Sequence, residues 1–183
     1  VIIACFAMLL YKIYDVKDKE QTLSFDAFNR LKVSQPYTLG DYKQYYSLGD
    51  NMLQQTYTGG SVVHNTNEAS AKLSVTSTVG SRAISQSKMY HHYMPGKSQS
   101  ILSSFVFFNY TPGIIKRIGY FDDRDGIFLQ QDIDGILYFV IRSFTTGSVS
   151  ETKIPEKEWN GNMGKWNIDI NTTQLLWIDF QWL

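Results

Sequence analysis

The stretch Gly119–Ser143, "GYFDDRDGIFLQQDIDGILYFVIRS", sets two acidic knots, "DDRDG" and "DIDG", between three apolar runs. The knots could form a calcium loop, a catalytic carboxylate pair or the tips of two hairpins. A calcium loop of the helix-loop-helix kind needs oxygen ligands at positions one, three and five, then Gly at six. With Gly126 at six, Asp125 and Asp123 fall on ligand positions, but Phe121 falls on position one and the flanks read as strands. A looser calcium site at Asp122, Asp123 and Asp125 is the metal reading that remains. A glycoside-cleaving pair needs carboxyls about 5–10 Å apart. The knots are separated by "IFLQQ", a strand rising about 3.3 Å per residue, which puts them roughly 20 Å apart at its opposite ends. Asp-Gly tolerates the positive φ that tight turns demand. The stretch therefore reads as strand, turn, strand, turn, strand.

Outward from this centre, the same pattern recurs. Extended runs are expected at "SVVHN" (Ser61–Asn65), "AKLSVTST" (Ala71–Thr78), "RAISQSKMYHHYM" (Arg82–Met94) and "SQSILSSFVFFNY" (Ser98–Tyr110), the last two as a hairpin across "PGK". "IIKRIGYF", "GIFLQQ", "GILYFVIRSF", "SVSETKI", "WNIDI" and "QLLWIDFQW" follow, with an exposed loop at "EKEWNGNMGKWN". Alternation such as Leu73 and Val75 against Ser74 and Thr76 marks strands with one buried face. Many short strands and no convincing helix after the first residues imply an all-β fold, an antiparallel β-sandwich or jelly roll, concanavalin-like, over residues 47–183.

Composition agrees. The chain has 183 residues, 15% of them aromatic, and equal numbers (17 each) of basic and acidic residues. Zero net charge lacks the basic footprint of a nucleic-acid binder. The single cysteine, Cys5, permits no internal disulfide.

Before the β-rich part lie two other segments. "VIIACFAMLLY" is apolar without interruption from Val1 to Tyr11. A full span needs about 20 apolar residues. Three readings stay open: the end of a membrane helix, the core of a signal peptide, or a buried element of the fold. The membrane reading leads, with residues 1–15 as the end of the helix and Val1, Ile2, Ile3, Phe6, Leu9 and Leu10 as the anchor. Residues 16–46 form a linker and an extended arm, because Pro36 forbids a central strand. Tyr42, Tyr45 and Tyr46 offer apolar surface for docking it. The closing run "LLWIDFQWL" ends without a turn, so the polypeptide is expected to continue.

Other chemistry is weak. "PGKS" lacks the upstream Gly of a phosphate loop, because position 91 is His. His91 and His92 are strand neighbours that would point to opposite faces. No Gly-x-Ser-x-Gly elbow occurs, and no catalytic residue or cofactor is assigned. Asn109-Tyr110-Thr111 and Asn171-Thr172-Thr173 match the glycan-acceptor triplet. Trp159, Trp166, Trp177 and Trp182 could line a sugar-binding face, although packing is the commoner use of Trp.

"DAFNRLKVSQPYTLGD" (Asp26–Asp41) is similar to a segment Asp-Ala-Phe-x-Arg-Leu-Arg-Val-Ser-x-Pro-x-Thr-Leu. That segment opens a family of virion structural proteins of tailed phages and large DNA viruses. The resemblance continues through "GGSVVHNTNEASAKLSV", "YHHYMPGKSQSIL", "KRIGYFDDRDGIFL", "FVIRS", "WNIDI" and "LLWIDFQWL", about residues 24–183. It implies a structural protein without catalytic residues. The apolar start departs from phage members and implies a particle with an internal membrane, as in large icosahedral DNA viruses. The expected role is a minor capsid protein between shell and membrane, in contact with other capsid proteins. Asp26, Phe28, Arg30, Leu31 and Pro36 would clamp a neighbour. The alternative is a lectin-like sandwich on the virion that binds glycans for host attachment.

Overall fold

In "SQSILSSF" every second residue is withdrawn from solvent, and the strand it forms shows why the pattern exists. The structure is a computed structural model and describes residues 37–94, 97–160 and 168–181. It contains ten strands, all paired antiparallel, and a single 3-10 turn at Glu156–Glu158, with no α-helix among the described residues. The chain divides into two compact units, Val1–Met94 and Pro95–Leu183. The anchor residues Val1, Ile2, Ile3, Phe6, Leu9 and Leu10 and the arm residues Asp26, Phe28, Arg30, Leu31 and Pro36 lie outside the described residues. Among the described residues, no helix is long and apolar enough to cross a membrane.

In the first unit, β1 (Met52–Tyr57) pairs with β4 (Arg82–Ser87), and β2 (Ser61–Asn65) with β3 (Ser70–Ser74). Residues 37–48 run irregularly beside them. His64 Nε2 donates to the Gln44 carbonyl at 2.9 Å, and Tyr42 shares a 2.7 Å hydrogen bond with His91 Nε2. Of the three docking tyrosines, Tyr42 is thus held, whereas Tyr45 and Tyr46 stand in solvent at 59% and 93% exposure. The expected hairpin across "PGK" does not form: β4 ends at Ser87 and takes β1 as its partner. His91 and His92 consequently lie beyond the strand, so the strand argument about their faces does not apply.

In the second unit, β5 (Ser98–Phe105) pairs with β10 (Gln174–Gln181). β6 (Lys116–Phe121), β7 (Gly126–Gln131), β8 (Leu137–Ser143) and β9 (Ser150–Pro155) form a four-stranded meander. One face of the meander carries Ile118, Leu129 and Leu137. There Phe107, Leu129 and Leu137 form the buried core, and Phe105 and Leu176 pack on it from β5 and β10. Ile178, paired with Ile101, is 4% exposed on that same inner side of the ribbon. Tyr120 and Phe180 meet with ring centroids 5.8 Å apart. Burial of each such side chain stabilises by about 1.5–3 kcal/mol, and only a ribbon with alternating residues can deliver it from one face.

The loop after β5 is fixed by Lys116, whose ammonium donates to the carbonyls of Phe107 at 2.6 Å and Asn109 at 2.9 Å. Partial burial lowers the Lys116 pKa. Phe107 and Phe108 both donate backbone N–H groups to the Ile170 carbonyl, so residues 168–170 brace the loop. The described part of "WNIDI" is therefore not a strand.

On the opposite face, Phe128 is wholly buried and pairs across the ladder with Gly119. Gly119 has φ +151, and a Cβ there would stand 2.6 Å from the Phe128 Cα. Glycine is what lets β6 lie against β7 at this point.

Candidate functional site

The acidic knots are the two turns of the meander. At the first, Asp122 Oδ1 accepts from the N–H groups of Arg124 at 2.7 Å and Asp125 at 2.8 Å. Asp125 Oδ1 accepts from the Phe144 N–H at 2.9 Å, tying the turn to the end of β8. Partial burial works to raise the Asp122 pKa, but those N–H groups and the charges of Arg124 and Arg142 outweigh it and hold the carboxyl below its ordinary value. At the second turn, Asp134 Oδ1 accepts from the Ile136 N–H and Oδ2 from the Tyr138 hydroxyl. Strand β7 separates the two turns. Asp122 and Asp125 thus serve backbone donors, as carboxylates do in Asx-type turns. Among the described residues, no group of three or more His, Cys, Asp or Glu side chains gathers as a metal site.

Between the turns, the face of Phe128 carries a ladder of charge that sequence inspection did not find. The Arg142 guanidinium lies over the Phe128 ring at 5.0 Å and bonds Glu151 at 2.7 Å and the Asp122 carbonyl at 2.7 Å. Arg117 covers the same ring at 5.5 Å and donates to Gln130 at 2.7 Å. Lys153 meets Asp132 at 2.6 Å. Burial pushes the Asp132 pKa up, but Lys153 and the Ile133 N–H more than offset this and leave it lowered. Every member has a partner within the sheet, so the ladder holds β6 to β9 in register rather than presenting reactive groups.

The ribbon β5–β10 differs. Its inner face is spent on the core, and its outer face consists of Ser100, Leu102 and Ser104 against Asp179, Trp177 and Leu175. Leu102 is 64% exposed, Leu175 69% and Trp177 68%. The Trp177 Nε1–H donates to Ser100 Oγ, which fixes the indole across the ribbon. Three large apolar side chains are thereby held side by side in water. Scattered apolar residues on a surface need no explanation, whereas a contiguous group on one rigid face is a candidate contact surface. Trp159, by contrast, packs on the core and donates to the Ile154 carbonyl, while Trp166 and Trp182 lie outside the described residues. Asn109 and Asn171 are both exposed.

A second feature lies in the first unit, at the turn end of β2–β3. A surface depression of about 410 Å³ is lined by Val63, His64, Asn65, Thr66, Asn67 and Lys72.

Comparison of the chain with protein-family models, curated proteins and solved structures finds no match.

Proposed function

We propose that this chain is a virion structural protein, a minor capsid protein joining the shell to an internal membrane of a large icosahedral DNA virus. The observation that carries the reading is the outer face of β5–β10, where Leu102, Leu175 and Trp177 stand exposed on a rigid ribbon. Such a face releases water when it meets a neighbour, and with one carboxylate, Asp179, at its end it meets little electrostatic opposition. Trp is also the residue type most enriched among interface anchors.

The resemblance of residues 24–183 to phage and large-virus structural proteins supports the same reading and supplies its finer terms. The antiparallel sheets are parts of a β-sandwich of jelly-roll type. Val1–Tyr11 is the membrane tether, and the Asp26–Asp41 arm clamps a neighbouring capsid protein. No catalysis is assigned.

Mass spectrometry of purified particles tests this directly. The protein is expected in the particle at a fixed ratio to the major shell protein. Detergent that dissolves the internal membrane is expected to release it only together with shell fragments. Absence from the particle overturns the reading, and so does release by detergent as a free species.

A further inference from the structure

We propose that the depression at the turn end of the β2–β3 hairpin binds a carboxylate-bearing sugar. Sequence inspection offered the tryptophans as a sugar-binding face. The structure offers a different place, on residues with no such signature.

Val63 and Lys72 are direct cross-strand partners and so share one face of the hairpin, and Asn65 follows Val63 on that face. Val63 is 57% exposed and supplies an apolar wall. Thr66 and Asn67 close the depression from the turn. Among the described residues, no hydrogen bond or ion pair engages the side chains of Asn65, Thr66, Asn67 or Lys72. His64 follows Val63 and turns its ring to the opposite face, where Nε2 donates to the Gln44 carbonyl at 2.9 Å.

This combination selects its ligand. Two amides and a hydroxyl offer donors and acceptors in the alternation that sugar hydroxyls need. A branched aliphatic wall suits the C–H face of a pyranose ring. The lysine is the single full cation of the lining, which matches one carboxylate and leaves a dianionic phosphate half neutralised. Glu68, in the same turn, is not among the lining residues and accepts from the Ser70 hydroxyl at 3.4 Å. It adds a further penalty against higher anionic charge. The depression of about 410 Å³ is open to solvent, so it holds one face of a sugar ring and leaves the other in water. A uronic or sialic acid meets these terms.

The inference stands apart from the capsid reading, because particle composition does not enter its test. The full chain is titrated with N-acetylneuraminate, glucuronate, glucose and inorganic sulfate while the backbone amides of Asn65–Lys72 are followed by NMR. Saturable shifts are expected with either acidic sugar, and roughly tenfold weaker ones with glucose, in line with loss of one charge-assisted contact. Lys72→Met should weaken the acidic sugars by a similar factor and leave glucose unchanged, with thermal unfolding as the control for an intact fold. Three results overturn the proposal: no saturable shift with an acidic sugar, unaltered binding by Lys72→Met, or equal binding by sulfate, which would reduce the site to a general anion contact.

Discussion

At the residue scale, the stability of the second unit is tied to acid through two carboxylates. Asp122 and Asp132 both titrate below their ordinary 3.8 in the folded chain, Asp122 through turn N–H groups and Asp132 through Lys153. A lowered folded pKa means that the stabilisation is complete above the unfolded value and is lost as pH falls through the folded one. The melting temperature is therefore expected to hold from neutrality to about pH 4 and then to decline. The paired substitution Asp122→Asn and Asp132→Asn keeps hydrogen-bond acceptors at both turns and removes the charge. Calorimetry should show a flatter profile for the variant below about pH 4, and an unchanged slope would refute the assignment. The local part of this chemistry was legible in the sequence, because Asp-Gly turns depend on a few adjacent residues. The ladder above it was not. Arg142 reaches Glu151 and the Asp122 carbonyl only because β8 lies between β9 and the first turn, and nothing in "VIRS" announces those partners.

At the scale of elements, legibility follows the distance between partners. "GIFLQQ" was expected as a strand and is one, Gly126–Gln131, because its neighbours β6 and β8 are also its neighbours in the chain. The ribbon β5–β10 joins strands far apart in sequence, and there the local "PGK" turn signal misled. β1, "MLQQTY", escaped notice because Gln54 and Gln55 interrupt any alternation. "AKLSVTST" ends as a strand at Ser74, short of the expected run. The outer face of the ribbon was likewise hidden. Alternation in "SQSILSSF" shows that one face is buried, but only the packing against Leu129 and Leu137 shows which one. Two adjacent residues of β10 then separate stability from contact. Ile178→Ala opens a gap in the core layer and should cost about 2–4 kcal/mol in urea unfolding. Trp177→Ser should leave folding within about 0.5 kcal/mol, as surface substitutions do, and under the proposed capsid role it should reduce incorporation into particles. A larger unfolding cost for Trp177→Ser than for Ile178→Ala would mean that the ribbon has the opposite face inward.

At the scale of the whole molecule, the two units differ in what holds them. All buried apolar side chains among the described residues, Phe107, Phe128, Leu129, Leu137, Val140 and Ile178, belong to the second unit. The described strands of the first unit form two separate pairs in which no residue is fully buried. Paired strands without a covered apolar face are marginal alone, because their ladder hydrogen bonds exchange with water at little net gain. Local opening free energies should therefore be graded along the chain, with the highest on β7 and β8, which are paired on both sides and contribute most of the core. Hydrogen–deuterium exchange on the full chain reads this gradient. Amides of Gly126–Gln131 and Leu137–Ser143 are expected to exchange last, close to the rate set by global unfolding. Those of Ser61–Asn65 and Ser70–Ser74 are expected to exchange orders of magnitude sooner. Their exposed hairpin would then open without disturbing the core of the second unit. Equal protection of the β2–β3 and β7–β8 hairpins would show that the two units unfold as one and that burial on the four-stranded sheet is not what graded their stability.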